Sequence, residues 1–295
     1  MTTLRLGTRR SKLALAQARA YARALARHHA GLELEEVHIV TSGDRVQDRP
    51  LSAIGGKGLF IKEIEEALLD GRADFAVHSI KDVPAEIAPG LTIAVVPERE
   101  DPRDVVVGAT LASLPRGAKV GTSSLRRSTL LHAVRPDLVV VPLRGNVDTR
   151  LRKLDDGEVD AIVLAYAGLR RLDLAERATE VLDPATMLPA VGQGALGIEC
   201  REDDDAVRAL LAATDHRDTR ICVSAERGVM TAVGGSCQLP VAAYAEKHGG
   251  EMWLRGMYAE ADGTAARHGE RRAPWPTTDD EAFELGSALG RELRS

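Results

Sequence analysis

The sequence predicts two α/β lobes around an arginine-lined cleft, followed by a small α+β domain. Short apolar runs typical of strands alternate with helical periodicities through the first two thirds of the 295 residues. Polar turns with hydroxyl or basic side chains follow at least five of these predicted strands. The last third instead shows three strands joined by hairpin signals and closed by a helix. A chain of this length is expected to form two or three domains.

The charge distribution favours a small anionic ligand over a nucleic acid. The net charge is −5, which gives no support for bulk binding to a polyanion. Between Gly121 and Arg152, however, there are six arginines and only two aspartates. Only seven of the 39 basic residues are lysines, so a single arginine carries little information by itself.

The three cysteines, Cys200, Cys222 and Cys237, form no CxxC pair and are odd in number. A disulfide framework or a zinc site is therefore not expected. The N-terminus enters a strand pattern without an apolar signal core, and no run of 18 apolar residues occurs. We expect a soluble, cytoplasmic protein without a metal.

The first lobe begins with a strand over residues 4–7 and a helix over residues 12–29, for which Ser11 is a good N-cap. A strand, a polar turn and a helix N-terminus together form a typical anion site, because the first helical N–H groups lack partners. Two interpretations stay open at this point. Either Arg9 and Ser11 bind an anion, or Ser11 only caps the helix and Arg9 and Arg10 are solvated.

A second strand over residues 34–40 leads into a polar segment, residues 44–58, whose length is typical of a functional loop or lid. The segment is not a Walker motif, because position 51 is Leu and position 58 is Gly. A helix over residues 59–69 and a buried strand over residues 73–79 follow.

Two charged residues that follow this strand are candidates for a functional role. Lys81 and Asp82 stand between the strand and Pro84, and such a charged pair is an unsuitable filling for a core. We therefore favour a functional role for Asp82. For His78, in contrast, we favour a hydrogen-bonded strand residue without a catalytic role.

A strand over residues 91–96 ends the first lobe, and residues 97–103 are predicted to form a hinge that leads to a strand over residues 104–108. The second lobe repeats the pattern. A strand from Lys119 then meets a helix whose first turn carries Arg126 and Arg127. Cations at a helix N-terminus oppose the macrodipole, so this arrangement predicts an anion beside them.

Two further predicted strands, residues 138–143 and 161–165, end in polar turns, and Arg144 to Arg150 lead into another helix. In α/β sheets, ligands bind beyond the carboxyl ends of the strands. Residues 192–197 match G-x-G-x-x-G but lead into an apolar, strand-like run. We therefore reject a dinucleotide site and interpret these glycines as a return crossover between domains.

The last third places Cys237 on a short loop between a helix that ends at Gly234-Gly235 and a strand that follows Pro240. Strands are predicted over residues 241–246, 251–258 and 265–272, with a closing helix over residues 279–293. The predicted domains are residues 1–96 with 194–214, residues 100–190, and residues 217–295.

Several arginines in one cleft suit a ligand with multiple carboxylates, because each guanidinium pairs with a carboxylate bidentately. A thiol hydrolase would need a histidine partner for Cys237, and His78 shows no such pattern. We therefore interpret Cys237 as a covalent tether. Asp82 is the carboxylate best placed to stabilise a developing cation.

These motifs resemble those of the porphobilinogen deaminase family, whose members condense four porphobilinogen molecules into hydroxymethylbilane. The resemblance covers essentially the whole chain and rests on Gly7-Thr8-Arg9-Arg10-Ser11, Gly55-Gly56-Lys57-Gly58-Leu59-Phe60, Val77-His78-Ser79-Ile80-Lys81-Asp82-Val83-Pro84, Gly121 to Arg127, Leu143-Arg144-Gly145-Asn146 and Gly234-Gly235-Ser236-Cys237. The sequence departs from the family at Ile80, where Met is common, and in ending soon after its last helix.

The resemblance implies two periplasmic-binding-protein-like lobes and a dipyrromethane cofactor attached to Cys237 through a thioether. It implies catalytic roles for Asp82, Lys81 and Arg9, with Asp82 stabilising the azafulvene cation formed when ammonia leaves. The cofactor would also be bound by Lys81, Asp82, Thr122, Ser123, Arg126, Arg127 and Arg144. The substrate porphobilinogen would be bound by Arg9, Ser11, Arg144, Arg150, Gln193, Lys57 and Phe60. The enzyme would act as a monomer, without nucleic acid or membrane.

Two rival functions remain. One is a non-enzymatic, two-lobed binding protein for a small polycarboxylate, which would need an export signal and no reactive thiol. The other is a cysteine-dependent hydrolase, against which the missing histidine partner counts.

Overall fold

The structure of the protein is a computed structural model that describes residues 2–45, 61–234 and 239–295. The chain divides into two compact units. The first takes its described residues from Met1–Arg99 and Ala195–Arg220, and the second from Glu100–Gly194 and Ile221–Ser295. The chain thus leaves the first unit near residue 100, returns near residue 195 and leaves again near residue 221.

The described residues form strands and helices in alternation over most of the chain. The strands are β1 (Thr2–Thr8), β2 (Leu32–His38), β3 (Phe75–Ser79), β4 (Leu91–Val95), β5 (Asp104–Val107), β6 (Lys119–Gly121), β7 (Val139–Val141), β8 (Ala161–Ala165), β9 (Glu180–Val181), β10 (Leu196–Arg201), β11 (Val241–His248), β12 (Glu251–Tyr258) and β13 (Arg267–Pro274). The α-helices are α1 (Lys12–His28), α2 (Ser42–Arg45), α3 (Lys62–Leu69), α4 (Leu125–Val134), α5 (Val147–Asp155), α6 (Tyr166–Arg171), α7 (Asp205–Leu211), α8 (Arg217–Ala232) and α9 (Asp279–Arg294). Single 3-10 turns cover Ile80–Asp82, Ala175–Arg177 and Ala212–Thr214.

The first unit is built on a five-stranded sheet with the order β2-β1-β3-β10-β4. β1 pairs in parallel with β2 and β3, whereas β10 runs antiparallel to β3 and β4. Residues of α1, among them Tyr21 and Leu25, form an apolar cluster with Leu6, Phe75 and Ile198 of the sheet. A second cluster joins α3 to the sheet. The middle strand, β3, is therefore buried along its length and holds the turn that follows it.

The second unit contains another five-stranded sheet, with the order β7-β6-β8-β5-β9. β6 is parallel to β7 and β8, and β5 is antiparallel to β8 and β9. α4 follows β6 and α5 follows β7, so both helices begin beyond the carboxyl ends of parallel strands. This is the position at which α/β sheets present ligand sites.

The second unit also contains the antiparallel sheet β11-β12-β13. One apolar cluster packs α8 and α9 on this sheet, through residues such as Val229, Leu254 and Leu289. At Gly286 a Cβ atom would lie 1.8 Å from the carbonyl oxygen of Ala225, so only glycine allows α9 to cross α8 this closely.

The predicted α/β class with a small three-stranded antiparallel sheet is confirmed. The predicted elements are present among the described residues with shifts of a few residues at their ends, and α2, β9 and α6 are additions to them. Most of the predicted loop over residues 44–58 lies outside the described residues. The strand predicted after the G-x-G-x-x-G match is β10, which joins the first sheet and not a dinucleotide-binding unit. The boundary of a separate domain at residues 217–295 stays a prediction, because one apolar cluster includes both the second sheet and Ala242 and Met257.

No helix in the described part of the chain is long and apolar enough to cross a membrane. Among those residues, no group of histidine, cysteine or acidic side chains is arranged to hold a metal ion.

Candidate active site

In the first unit, the β1–α1 junction carries two of the predicted binding residues. Ser11 has an extended backbone and caps α1, because its Oγ accepts a hydrogen bond of 3.3 Å from the N–H of Ala14. Arg9 is half-buried and Arg10 is exposed. The capping role of Ser11 is thus observed, and the binding roles of Ser11 and Arg9 stay predictions.

The turn Ile80–Asp82 holds the predicted catalytic pair on a rigid support. Ile80 is 2% exposed, and its N–H donates to the carbonyl of Ala195 at 3.1 Å. The N–H of Val83 closes the turn on the carbonyl of Ile80 at 3.0 Å. Lys81 is half-buried and Asp82 is exposed, so the carboxylate leaves a fixed backbone toward solvent.

Gln17 connects this turn to α1, and sequence analysis did not single it out. Its side chain is 5% exposed, and its Nε2 donates to Ser79 Oγ at 2.9 Å, immediately before the turn. The available signal was a lone amide on the buried face of a helix rich in alanine and leucine. A buried amide needs a hydrogen-bond partner, and that need could have suggested its role.

In the second unit, the β6–α4 junction shows how hydroxyl side chains organise the start of a helix. Ser124 is the N-cap of α4, and its Oγ accepts from the N–H of Arg127. Thr122 is 3% exposed, and its Oγ1 accepts from the N–H of Ser124 at 3.2 Å. Ser123 is exposed, and its Oγ donates to the carbonyl of Leu143 at 3.0 Å.

Arg126 and Arg127 meet a carboxylate of the chain itself. Asp104 of β5 is fully buried, and it accepts from Arg127 Nη2 at 2.7 Å and pairs with Arg126 Nη2 at 2.8 Å. Burial alone would raise the pKa of Asp104, but the charges of Arg126 and Arg127 outweigh it and hold this pKa below its ordinary value. The anion predicted beside these arginines is therefore Asp104, which sequence analysis missed. Two cations and one anion leave the cluster with a net positive charge, and the cofactor-binding roles of both arginines stay predictions.

Gln193 joins the same cluster from the segment before β10. It is 1% exposed, and its Nε2 donates to the carbonyl of Pro102 at 2.6 Å and to Asp104 Oδ1 at 3.0 Å. The next residue, Gly194, has φ of +88° and accepts from Arg171 Nη2 at 2.6 Å. Burial lowers the pKa of Arg171 to about 10, so its guanidinium stays charged at neutral pH.

Arg144 and Arg150 lie on either side of the start of α5. Arg150 Nε donates to the carbonyl of Gly145 at 2.9 Å. Arg144 Nη1 is buried and has no hydrogen-bond partner within the described part of the chain. A buried N–H without a partner is costly, so this atom indicates a place for an acceptor such as a carboxylate.

Three predicted site residues, Cys237, Lys57 and Phe60, lie outside the described residues. The helix that precedes Cys237, α8, is held by Glu226, which is fully buried. Glu226 accepts from the N–H of Gly192 at 2.7 Å and from the N–H of Ala245 at 2.9 Å. This carboxylate connects α8 to the segment of Gln193 and to β11.

Two family models match the chain. One is described as the dipyrromethane cofactor-binding domain of porphobilinogen deaminase and matches residues 4–209. The other is described as the C-terminal domain of porphobilinogen deaminase and matches residues 220–295. The chain belongs to the porphobilinogen deaminase family. The resemblance seen in the sequence is thereby confirmed, together with its implied transferase activity and dipyrromethane cofactor.

Curated relatives agree with this assignment. The chain is 64% identical to porphobilinogen deaminase of Sorangium cellulosum (strain So ce56), over 99% of either chain. It is 52% identical to porphobilinogen deaminase of Roseiflexus sp. (strain RS-1), over 99% of this chain and 95% of that relative. Among solved structures, it resembles the methionine-binding protein MetQ with a TM-score of 0.46 and 16% identity, over 74% of this chain and 91% of that one.

The described residues fit the family's cofactor. Each pyrrole ring of dipyrromethane carries an acetate and a propionate, so its binding site must supply several cationic donors. Arg144 Nη1 and Arg126 Nε are both buried and without a hydrogen-bond partner in the described residues. The positive excess of the Asp104 cluster adds to the same preference for carboxylates.

Proposed function

We propose that Asp82 stabilises the cation that forms on porphobilinogen as ammonia leaves, and that the arginines of the candidate site bind its carboxylates. The observation that carries this proposal is the turn itself. Asp82 is an exposed carboxylate on a backbone fixed by the buried Ile80. A charge that is held in place before the reaction does not have to reorganise when the cation develops.

Porphobilinogen brings its own requirements to this site. Its pyrrole N–H can donate to the Asp82 carboxylate, which orients the ring while the positive charge spreads over it. Lys81, half-buried beside Asp82, then serves a carboxylate of the bound pyrroles. Cys237 would hold the dipyrromethane covalently, and Lys81, Thr122, Ser123, Arg126, Arg127 and Arg144 would hold its side chains; the cofactor would supply a nucleophilic pyrrole carbon for the condensation.

The surplus of arginines follows from the product. Each condensation adds two carboxylates, so the site must neutralise an anion that grows with every step. Arg9, Ser11, Arg144, Arg150 and Gln193, with Lys57 and Phe60, would bind the incoming substrate. In such a cationic site Asp82 is the counter-charge for a transient cation.

The test of this proposal compares Asp82→Asn with Glu86→Gln, a matched change at an exposed carboxylate on the same loop. Asp82→Asn keeps the size of the side chain and removes its charge. We expect a loss of turnover of at least 100-fold, from the loss of one preorganised electrostatic contact. Asp82→Asn protein that carries the cofactor should still bind porphobilinogen, and Glu86→Gln should turn over like the unaltered chain. Near-normal turnover by Asp82→Asn would remove Asp82 from the mechanism.

The alternative of a non-enzymatic polycarboxylate-binding protein is not favoured, since the family match includes the cofactor-binding domain. We also propose that the enzyme acts as a monomer in the cytoplasm, with family resemblance as the support. Sedimentation velocity of the purified protein tests the monomeric state, and a concentration-dependent dimer would contradict it.

A further inference from the structure

A buried acid–base pair lies beneath the catalytic turn. His78 Nε2 of β3 is 2.9 Å from Glu199 Oε2 of β10, and these residues are 6% and 1% exposed. Because a carboxylate only accepts, the imidazole N–H donates this hydrogen bond. The expectation that His78 is a hydrogen-bonded strand residue is confirmed. Its partner, Glu199, lies 121 residues away in the sequence, so this hydrogen bond ties β3 to β10.

The pair stands on the face of the sheet that packs on α3. Successive side chains of a strand alternate between faces, so His78 shares its face with Ala76. Ala76 belongs to the apolar cluster that packs α3 on the sheet, with Ile64 and Leu68. Apolar side chains of similar shape would fill such a place about as stably as a buried hydrogen-bonded pair. The pair is therefore better explained by a need for position than by a need for stability.

The local geometry of β10 directs the side chain of Glu199 toward His78. In the β3–β10 register, Glu199 lies opposite Ala76 and Gly197 lies opposite His78. On its other edge, β10 has an irregular register with β4 between Ile198 and Glu199. β-Bulges re-aim a side chain, and they are frequent beside active sites.

Another ionisable group, Glu65, lies on α3, the helix that packs on this face of the sheet. Its Oε1 accepts a hydrogen bond of 3.1 Å from the N–H of Ala88, in the loop that returns from the catalytic turn. Burial raises the pKa of Glu65; its hydrogen bond from Ala88 lowers this pKa, Glu199 raises it and His78 lowers it. Hydrogen bonds of His78 and Glu65 therefore hold the chain on either side of Asp82.

We propose that His78 and Glu199 are positioning residues for the reaction, which fix the end of β3 and so the orientation of Asp82 toward the substrate. The proposal rests on the proposed role of Asp82 and adds residues that do not touch the substrate. The chain has two residues between His78 and Lys81, and Ile80 between them is fixed to Ala195. His78 and Ile80 thus both tie the end of β3 to residues 195–199, and loss of one tie displaces the turn; a misplacement of about 1 Å can cost about 100-fold in rate.

The decisive variant replaces both partners, as His78→Leu with Glu199→Met. Removing both partners together leaves no buried group unpaired, so the stability should change little. We expect normal cofactor loading by intact mass, an unchanged KM for porphobilinogen and a kcat lowered about tenfold or more. If the pair had only a structural role, its removal would leave both kcat and KM unchanged in protein that is folded and fully loaded with cofactor.

Two further variants keep the test decisive if the double variant does not fold. Glu199→Met alone removes the acceptor of the His78 hydrogen bond and should lower kcat without raising KM. His78→Gln retains a donor near the position of Nε2 and should keep most of kcat. The matched control is Tyr21→Phe with Thr214→Val, which removes another largely buried hydrogen bond, of 2.9 Å, in the same unit. Its kcat should equal that of the unaltered chain.

The possible outcomes distinguish a failure of the positioning role from a failure of the proposed function. Full kcat in the folded double variant, or in folded Glu199→Met, would overturn the positioning role. An equal fall in kcat in the Tyr21 control would also overturn it, because the effect would then follow from general loosening. Failure of the unaltered chain to consume porphobilinogen would instead refute the proposed function, and with it the basis for positioning.

Discussion

Asp104→Asn should strongly destabilise the unit formed by residues 100–194 and 221–295. The substitution keeps the shape of the side chain and removes the negative charge between Arg126 and Arg127. These guanidiniums are 4% and 6% exposed, so water cannot take the place of the carboxylate. The hydrogen bond that Gln193 Nε2 donates to Asp104 Oδ1 would also be lost or weakened.

The magnitude follows from the burial of the cluster. Breaking a buried ion pair by removing one partner costs about 3–5 kcal/mol, because an uncompensated charge remains. Here two cations lose the same anion, which favours the upper part of that range. For a unit of this size, each kcal/mol lowers Tm by about 2–4 °C, so the expected fall is roughly 6–20 °C.

The pH dependence has a definite sign. The pKa of Asp104 lies below its ordinary value in the folded state, so its stabilising contribution is present above the unfolded pKa of about 3.9. That contribution is lost as the pH falls from about 3.9 through the lower, folded value. The difference in stability between the unaltered chain and Asp104→Asn should therefore be constant from pH 7 to pH 5 and should shrink below about pH 4.

The assay is urea unfolding followed by tryptophan fluorescence, at neutral pH and then in acid. The chain has two tryptophans, Trp253 and Trp275, and both lie in the same unit as Asp104. The control is Asp137→Asn, which removes an ion pair of 2.8 Å with Arg135 in that unit, one whose side chains remain partly exposed. Surface pairs contribute little, so its curve should overlap that of the unaltered chain. A similar overlap for Asp104→Asn would refute the argument that charge holds this cluster together.

Further predictions concern three other positions. Arg144→Gln should raise KM for porphobilinogen roughly 10- to 100-fold, the equivalent of one charge-assisted hydrogen bond, with unchanged urea unfolding; an unchanged KM would contradict its carboxylate-binding role. Gly194→Ala should destabilise the protein in the same unfolding assay, because residue 194 has a left-handed backbone and its Cβ would lie 2.3 Å from a backbone carbonyl oxygen. The control Gly250→Ala, which has open space around it, should leave the stability unchanged. Burial raises the pKa of Cys200 to about 11, so iodoacetamide at pH 8 should modify this thiol only in urea, and rapid labelling of the folded protein would disprove its burial.

The features that sequence predicted best are those set by local pattern. The periodicity around α1 and the position of Ser11 gave the helix and its cap, and both are observed. The small hydroxyl residues before α4 likewise predicted a helix start, with Ser124 as the observed cap. The strand end that precedes Asp82 followed from an apolar run and a proline.

The partners of buried polar groups could not be predicted in this way, because they come from distant parts of the chain. Arg126 and Arg127 predicted an anion, but nothing near them in sequence identified Asp104 of an earlier strand. The carboxylate that pairs with His78 lies in a strand that returns to the first sheet only after the second lobe is complete. Local propensity carries no information about such pairings, which depend on the order of strands in the sheet.

The most direct test of the account is the intact mass of the purified protein. If Cys237 holds the cofactor, the mass should exceed that of the bare chain by two porphobilinogen units less their lost ammonia, with the increment on the peptide that contains Cys237. In urea, such protein should show two free thiols out of the three cysteines in the sequence. A bare chain with three free thiols should gain the increment when incubated with porphobilinogen. A mass that stays at that of the bare chain after this incubation would contradict the account.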